Sequence, residues 1–325
     1  MLLLSEAQVQ SLIDIEELIS TLEKAHVQYS AGKAVMPVRL VVPLPKIHGR
    51  ITSMPGFLNE DKSLGMKVVT YFEENPKNNL PAILATIMLF SADTGKMIAV
   101  MDGRYITAIR TACASALATK VLANAETPVL GILGAGVQAR AHIQALTRVR
   151  KIERIKIYSP SGAGGAAIKK ELEPDKKFAV DVAGSAEDAV RGADLLVACS
   201  TAKEPVVKNQ WLKAGVHINA VGSHRPDYRE IDGATVARAK VVVDSRAAIM
   251  AECGDILLAI KEKTIDENHV YAEIGDILAG VKAGRSNAGE ITLYKSVGIA
   301  IQDVATADLV YRKALERSVG TFVEI

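Results

Sequence analysis

Residues 131–140, GILGAGVQAR, constrain the fold of this chain more than any other stretch. Apolar residues that could begin a buried strand precede them, and an Ala-rich segment typical of a helix follows. Gly134, Gly136 and Ala139 have the G-x-G-x-x-A spacing of a dinucleotide-binding turn, in which small residues permit a tight turn, close approach of a diphosphate and helix packing. Glycines also occur in turns for steric reasons alone, and methyltransferases carry a similar loop. The position between a strand and a helix favours a dinucleotide.

The pattern of apolar runs divides the chain in two. Short β-rich runs upstream (RLVVP, RITSMPGF, GMKVVTYF, AILATIMLFS and KMIAVMDG) predict a mixed sheet, with a hairpin turn at residues 93–95. A capping box at Ser5 and Gln8 predicts a first helix, and a second one ends at Gly32. A long Ala-rich helix is expected at 105–124.

Downstream, helix-like segments alternate with apolar strands (PVLGIL, RIKIYS, FAVDVA, DLLVACS, HINAVG and KVVVDS), as in a parallel sheet covered on both faces. AAIMAECGDILLAIKE and SVGIAIQDVATADLVYRKALE also have helical patterns. We therefore predict an α/β fold of two domains. A Rossmann doubly wound parallel sheet occupies 116–298, and a mixed-sheet domain for dimerisation and substrate binding occupies 1–115 with 299–325.

Composition excludes several classes of protein. The 325 residues are 49% apolar and 23% charged with a net charge of +2, which is ordinary for a globular protein and lacks a basic nucleic-acid footprint. No apolar run reaches the ~18 residues of a membrane span. The three cysteines are far apart and the chain shows no metal-ligand spacing, so we expect no metal and a reducing, cytoplasmic location.

The second predicted strand of the Rossmann domain carries information about the cofactor. An acidic residue at its end would bind ribose hydroxyls and favour NAD, but the sequence there is IYSPSGAGG. Ser159 and Ser161 could accept a 2′-phosphate or could cap the next helix. We expect NADP or NAD, with NADP slightly favoured.

Three basic residues interrupt apolar runs of the first domain. Arg39, Lys67 and Arg110 lie in PVRLVVP, GMKVVTY and ITAIRTACA. A buried charge is costly unless it is paired or holds a ligand. The alternatives to a ligand site are a structural ion pair and a side chain that extends to the surface.

Over essentially its whole length the chain resembles the ornithine cyclodeaminase/mu-crystallin family. The resemblance rests on GMKVVTYF, DGRYITAIRTACASALATKVLA, GILGAGVQARAHIQAL, NAVGSHRPDYREID and EITLYKSVGIAIQDVATADLVY. It implies a homodimer whose first domain is completed by the C-terminal helix. It also implies hydride transfer to or from the imine carbon of a small imino or amino acid.

The resemblance also assigns roles to residues. Arg39 and Arg110 would clamp the substrate carboxylate, and Lys67 would hold it too and donate a proton to the imine nitrogen. A lysine can do so if burial and neighbouring cations lower its pKa. From the sequence alone, Asp303 could lie close to the active site or could pair with a Lys or Arg at the seam between the domains. The cofactor-binding positions would be Thr111, Gly134, Gly136, Val137, Gln138, Ser159, Ser161, Val221, Ser223, Val297 and Gly298.

One departure from the family pattern narrows the range of possible reactions. His224 stands where cyclodeaminases and archaeal-type alanine dehydrogenases have an aspartate, and Asp227 follows three residues later. The pattern RPD-aromatic-RE is closer to the ketimine-reductase branch. His224 could exchange protons near neutral pH or could be a loop histidine bonded to backbone. We give His224 and Asp227, with Lys67, as the candidate catalytic residues.

The sequence therefore predicts an NAD(P)H-dependent reductase of small 2-imino acids, above all cyclic ketimines such as pyrroline-2-carboxylate or piperideine-2-carboxylate. The alternatives are an amino-acid dehydrogenase of the alanine or N-alkyl type, an ornithine cyclodeaminase and a non-catalytic binding protein like some mu-crystallins.

Overall fold

A computed structural model describes residues 1–175 and 177–324. The chain divides into two compact units. The first unit comprises Met1–Arg110 and Ile299–Ile325, and the second comprises Thr111–Gly298.

The elements of the N-terminal third begin with a short strand and two helices and continue with the strands of a sheet. They are β1 (Leu2–Leu4), α1 (Glu6–Leu12), α2 (Ile15–Ser30), β2 (Ala34–Val35), β3 (Leu40–Leu44), β4 (Gly49–Leu58), β5 (Ser63–Phe72), β6 (Ile83–Ser91), β7 (Met97–Asp102) and α3 (Arg104–Leu122).

Strands and helices then alternate, and the chain ends with a long helix and a short strand. These elements are β8 (Val129–Leu133), α4 (Val137–Val149), β9 (Arg154–Tyr158), α5 (Ala163–Leu172), β10 (Ala179–Val182), α6 (Ala186–Val190), β11 (Leu195–Ala198), β12 (His217–Ala220), α7 (Gly233–Arg238), β13 (Lys240–Val243), α8 (Arg246–Glu252), α9 (Gly254–Lys261), β14 (Val270–Glu273), α10 (Ile274–Leu278), β15 (Thr292–Lys295), α11 (Ala300–Glu316) and β16 (Thr321–Phe322).

The first unit is built on a mixed sheet. Its strand order is β16-β1-β7-β6-β5-β4-β2, with β3 paired to β4. Neighbours are antiparallel except β1 and β7, which run parallel. Helix α11 packs on β4 and β5 and also against α2. Its approach depends on two glycines: a Cβ on Gly56 would lie 3.3 Å from the Cβ of Ala300, and one on Gly65 would lie 3.3 Å from a methyl of Val304.

The second unit is built on a parallel sheet with the order β10-β9-β8-β11-β12-β15-β13-β14. From β8 the chain moves outward through β9 and β10, then returns to the other side of β8 at β11. The strand order therefore reverses between β8 and β11, which is the position where doubly wound sheets bind ligands. The central strands β11 and β12 are buried at every residue, as expected of strands covered on both faces.

These observations confirm the predicted fold class, a two-domain α/β protein with a parallel sheet and a separate mixed sheet. The capping box at Ser5 and the hairpin turn with Gly95 at φ +72° are also present. Two helical segments need correction. The one expected after residue 246 is two helices that break at Cys253, whose backbone is extended. The last helix begins at Ala300, because Gly298 has a φ of +78° and residues 296–298 form a loop.

Across the part of the chain that the structure describes, no helix combines the length and the apolar character needed to cross a bilayer. Within the same residues, no three His, Cys, Asp or Glu side chains gather in a way that could hold a metal ion.

Candidate functional site

The first unit buries an ion pair between the middle of its sheet and its C-terminal helix. Lys67 lies on β5 opposite Met54 of β4 and Ile87 of β6. It belongs to the face of β5 on which α11 packs, and only 2% of the side chain is exposed. Its Nζ lies 2.8 Å from Oδ2 of Asp303, which is fully buried in the first turn of α11. A carboxylate there is also stabilised by the helix dipole.

The second cation of this cluster is Arg110 on α3. Its Nε donates to Oδ1 of Asp303 at 2.9 Å, and its Nη1 donates to Oε1 of Gln302 at 2.6 Å. The amide nitrogen of Gln302 in turn donates to Nε2 of His26 at 3.1 Å. Burial, followed by the charge of Arg110, lowers the pKa of His26 to about 4. His26 is therefore neutral, and it orients the glutamine that holds the guanidinium.

The charges of the cluster set the pKa of its lysine near neutrality. Burial, the largest effect, lowers the pKa of Lys67; Asp303 raises it, and Arg110 and Arg39 lower it, which leaves it at about 7. Burial by itself would raise the pKa of Asp303, but Arg110 and Lys67 hold it below its usual value. A lysine with a pKa near 7 can both carry positive charge and give up a proton at physiological pH.

Arg39, the third predicted cation, precedes β3 and is half-buried. Its effect on the pKa of Lys67 places its charge within electrostatic range of the cluster. With Lys67 protonated, the buried cations Lys67 and Arg110 share the one carboxylate of Asp303. The cluster therefore keeps an excess of positive charge that suits a small carboxylate ligand.

The second unit carries the glycine turn at the carboxyl end of β8. Gly134 has a φ of +119°, and its N–H donates to the carbonyl of Tyr158 at the end of β9. Gly136 is the N-cap of α4, and no side chain of the described residues caps this helix. A Cβ on Gly136 would meet no atom within 4 Å, so the backbone here faces open space. Val137 is 69% exposed, and Gln138 is half-buried.

This turn fits a dinucleotide. The first N–H groups of a helix carry partial positive charge and bind phosphate when nothing else caps them. The turn also lies at the point where the strand order reverses. The residues that would hold a diphosphate are thus the backbone of Gly134, Gly136 and Val137.

The serines after β9 differ in exposure. The Ser159 hydroxyl is shielded from solvent, has no hydrogen-bond partner among residues 1–175 and 177–324, and lies 3.6 Å from where a Cβ on Gly164 would be. Ser161 is exposed. The alternative that these serines cap the next helix is wrong, because Gly162 is the N-cap of α5 and no side chain of the described residues supplies a cap.

Loops at the carboxyl ends of β12 and β15 hold most of the other predicted cofactor residues. Asp244, directly after β13, accepts hydrogen bonds from Ser296 Oγ (2.7 Å) and from the N–H groups of Val297 (3.0 Å) and Gly298 (2.8 Å). Ser223 is buried and donates its hydroxyl to the carbonyl of Tyr228.

The remaining predicted positions are spread over the second unit. Val221 is half-buried after β12, and Thr111 is buried in α3. Nδ1 of His224 lies 3.2 Å from the carbonyl oxygen of Gly222, the backbone contact expected of a loop histidine. Asp227 is exposed and forms a two-point ion pair with Arg225 at 3.1 and 2.9 Å. Arg225 thus engages both carboxylate oxygens of Asp227.

Several residues that order these clusters carried weak sequence signals. Gln302 and His26 are hydrogen-bonded to each other although they lie 276 residues apart in the sequence. Arg140 donates to the carbonyls of Ala135 and Gly136 at 3.0 and 3.3 Å and so fixes the glycine turn. Asp255 lies in the first turn of α9, where it is fully buried and pairs with Lys295 at 2.8 Å.

A nucleotide-binding turn on a parallel sheet and a buried cationic cluster in a separate unit define a class of two-domain α/β proteins. Comparison with known proteins is more specific. The sequence model of the ornithine cyclodeaminase/mu-crystallin family matches residues 1–318, so the chain belongs to this family, and the resemblance noted from the sequence is confirmed.

Individual relatives agree with this assignment. The structure of Thermococcus litoralis Delta(1)-pyrroline-2-carboxylate reductase in complex with NADH and L-proline is 44% identical, with a TM-score of 0.97 over 99% of this chain and 100% of that one. The structure of an archaeal alanine dehydrogenase dimer with bound NAD is 36% identical, with a TM-score of 0.94 over 100% and 99%. The ketimine reductase mu-crystallin of Rattus norvegicus is 37% identical over 90% of this chain and 91% of that protein.

Proposed function

We propose that this protein is a nicotinamide-nucleotide-dependent reductase of small cyclic 2-imino acids, with pyrroline-2-carboxylate and piperideine-2-carboxylate as substrates. The observation that carries the proposal is the buried cluster of Lys67, Asp303 and Arg110. A 2-imino acid needs a cation for its carboxylate and a proton for its nitrogen. A guanidinium beside a lysine of pKa about 7 meets both needs.

The relatives support the same reaction. One is a pyrroline-2-carboxylate reductase bound to NADH and L-proline, and another is a ketimine reductase. Proline is what results when the C=N bond of pyrroline-2-carboxylate gains a hydride and a proton. The dehydrogenase and cyclodeaminase alternatives are less well supported, since by the family resemblance His224 takes the place of the aspartate expected in those enzymes.

In the proposed mechanism, Arg110 and Arg39 bind the carboxylate and fix the imine plane. Lys67 donates its proton to the imine nitrogen, while Asp303 holds the ammonium in place before the transfer. A reduced nicotinamide, when bound, supplies the hydride that the imine carbon receives. The C=N bond thereby becomes CH–NH, and the nicotinamide is oxidised. Rate enhancement would come mainly from positioning and from fixed positive charge.

For the cofactor, we propose that NADPH works at least as well as NADH. The support is that residues 158–161, where a carboxylate would repel a 2′-phosphate, contain none. The described neighbours hold NAD or NADH, which supports a nicotinamide cofactor in general.

We also propose a homodimer in the cytoplasm. An exposed apolar surface supports the dimer: Val35, Val38, Leu40, Val41, Val42, Ile47, Ile51, Leu80, Ile83 and Leu84 are large apolar residues exposed on the first unit. Val42 of β3 is paired with Ile51 of β4, so these two exposed residues adjoin on the sheet, and adjoining exposed apolar residues mark an interaction surface. The archaeal alanine dehydrogenase is a dimer. The cytoplasmic location is supported by the three cysteines, none of which is in a disulfide within the described residues.

The test is an assay of the purified protein with NADH and NADPH. We expect oxidation of the cofactor with each cyclic imino acid, in stoichiometric yield of the cyclic amino acid. Ammonia release from ornithine without net cofactor change would instead identify a cyclodeaminase. Faster turnover of pyruvate with ammonia or amines would identify a dehydrogenase, and tight binding without turnover would identify a binding protein.

A further inference from the structure

Glu230, a residue outside the clusters described above, joins two strand ends of the second unit. It is fully buried. Its Oε1 accepts hydrogen bonds from the N–H and the hydroxyl of Ser200 at 2.6 and 2.7 Å, and its Oε2 accepts one from the N–H of Gly222 at 2.7 Å. Ser200 lies just after β11 and Gly222 just after β12. One carboxylate therefore fixes the distance between two neighbouring loops.

A second buried carboxylate holds Glu230 in place. The N–H groups of Glu230 and Ile231 donate to Oδ1 of Asp255 at 2.7 and 2.9 Å. The other oxygen of Asp255 lies 2.8 Å from Nζ of Lys295, the last residue of β15, and both side chains are fully buried. Asp255 thus connects Glu230 to the end of a third strand, β15.

The backbone at Gly222 is shaped to this carboxylate. A Cβ on Gly222 would lie 2.6 Å from the carboxyl carbon and from Oε1 of Glu230, closer than side-chain contacts permit. Glycine is therefore required for the N–H to reach the carboxylate.

The strand order indicates which part of a dinucleotide these loops would contact. In a doubly wound sheet each half binds one mononucleotide, and the first strand and its turn bind the adenosine side and the diphosphate. Here that half is β8, β9 and β10, whereas Glu230 acts on β11, β12 and, through Asp255, on β15. The loops that it fixes belong to the nicotinamide half.

We propose that Glu230 is a positioning residue for the nicotinamide half of the cofactor. The proposal rests on the proposed function, since it requires that the second unit bind a nicotinamide nucleotide. Glu230 acts through Ser200 and Gly222, and it sets the positions of the loops that carry Val221, Ser223 and His224.

The substitution that tests this is Glu230→Gln. It preserves shape, but an amide has one acceptor oxygen where the carboxylate has two. Its NH₂ group must face either the N–H and hydroxyl of Ser200 or the N–H of Gly222, so at least one accepted hydrogen bond is lost and two donors meet. The loops should move apart without loss of the fold.

The measurement is calorimetric titration with two probes, NADH and ADP-ribose, which lacks the nicotinamide. In Glu230→Gln we expect the dissociation constant of NADH to rise about tenfold or more, equivalent to ~1.4 kcal/mol, while that of ADP-ribose stays within about twofold. Glu187→Gln is the matched control, because it removes the same charge from an exposed ion pair with Arg191 in the same unit. It should leave both affinities unchanged. Ser200→Ala removes the hydroxyl that donates to Glu230 and accepts from the N–H of Ala202, but it keeps both backbone N–H bonds to the carboxylate. It should give a smaller loss with the same selectivity for NADH.

The outcomes separate this proposal from the proposed function. An equal loss of affinity for both probes in folded Glu230→Gln would mean a general structural role and would overturn the proposal, as would no loss for either probe. If Glu230→Gln does not fold, Ser200→Ala decides in the same way. Failure of the unsubstituted protein to bind ADP-ribose and NADH would overturn the nucleotide assignment itself.

Discussion

The ammonium of Lys67 lies 2.8 Å from the Asp303 carboxylate, and that carboxylate also accepts a hydrogen bond from Arg110. Asp303 therefore orients both cations and offsets one of their charges. Without it, two cations would lie together in a buried site, which is strongly unfavourable. With it, the lysine stays ionised up to a pH of about 7.

The pH dependence of reduction follows from this pair. If Lys67 donates the proton, the reaction requires its protonated form, so kcat/KM with pyrroline-2-carboxylate should be high below pH 7 and fall as the pH rises through about 7. Lys67→Met should reduce turnover strongly, leave cofactor binding intact and abolish this limb of the profile. His224→Asn is the competing variant. A limb that survives in Lys67→Met and vanishes in His224→Asn would make His224 the proton donor.

The negative charge of Asp303 stabilises the protonated form of Lys67. Removing that charge should therefore shift the pKa of the lysine in a known direction. In Asp303→Asn the pKa of Lys67 should fall further, because burial and Arg110 then act without an opposing carboxylate. The limb should move to lower pH by about 1–3 pH units, the usual effect of a close opposite charge. Asp308→Asn, on the same helix and paired with Arg312, is the control and should leave the profile in place. An unmoved limb in Asp303→Asn would show that the limb is not set by Lys67.

Arg110 should act mainly on substrate binding. Arg110→Met removes a charge-assisted bond to the carboxylate, which costs about 2–4 kcal/mol, or roughly 30- to 1000-fold in kcat/KM. Steady-state kinetics should place most of this loss in KM for the imino acid. Arg312→Met, which removes an exposed guanidinium of the same unit, should leave both constants unchanged. A loss confined to kcat would instead assign Arg110 to the chemical step.

The sequence predicted the elements whose signals are local. The glycine turn, the capping box at Ser5 and the apolar strands of the parallel sheet all follow from residues close together in the chain. Strand β15 is not among the predicted strands, because TLYK is a run of only four residues that ends in a lysine, a side chain rarely buried without a partner. Lys295 is tolerated there because Asp255, 40 residues away, pairs with it.

The candidate site shows the same limit. A charge within an apolar run marked Lys67 and Arg110 as unusual, and burial of such a charge requires a partner. The identity of that partner depends on how α11 packs on β5, which periodicity alone does not give. For the same reason the sequence could not show that Asp244 binds the N–H groups of residues 297 and 298 and so delays the start of the last helix.

Substitution of Gly136 should separate folding from nucleotide binding. Its φ of −89° is allowed for any residue, and a Cβ there meets no atom, so Gly136→Val should fold normally. The added side chain would occupy the space through which a diphosphate approaches the N-terminus of α4. Titration with NADH should show at least a tenfold rise in the dissociation constant, or ~1.4 kcal/mol.

Two other glycines of the same unit serve as controls. Gly184→Val also faces open space, but after β10, two strands from the turn that follows β8, and should bind NADH normally. Gly134→Val should unfold the unit, because φ is +119° and its Cβ would lie 2.7 Å from the carbonyl oxygen of Cys199. Unchanged NADH affinity in folded Gly136→Val would remove the dinucleotide assignment of this turn.

The choice between NADPH and NADH should respond to a charge after β9. Ser159→Asp introduces a carboxylate that repels a 2′-phosphate and can accept hydrogen bonds from ribose hydroxyls. The ratio of kcat/KM for NADPH to that for NADH should fall by about tenfold or more, equivalent to ~1.4 kcal/mol. Ser161→Asp places the same charge at the exposed serine of the same loop. It shows how much of the change in cofactor preference comes from charge alone. A parent enzyme that already prefers NADH by a large factor would refute this prediction.

The exposed face of the first unit should control assembly. Leu40 is 65% exposed on β3, next to Val41 and Val42, which are also exposed. If this strand packs against a second copy, Leu40→Glu places an unpaired charge in an apolar interface, which costs several kcal/mol per buried ion. Sedimentation velocity should then show a dimer for the parent and a monomer for Leu40→Glu at micromolar concentration. Leu315→Glu, an equally drastic change at an exposed leucine of α11 outside this patch, should remain dimeric. If Leu40→Glu were a dimer and Leu315→Glu a monomer, the interface would instead lie on the side of the unit that carries α11.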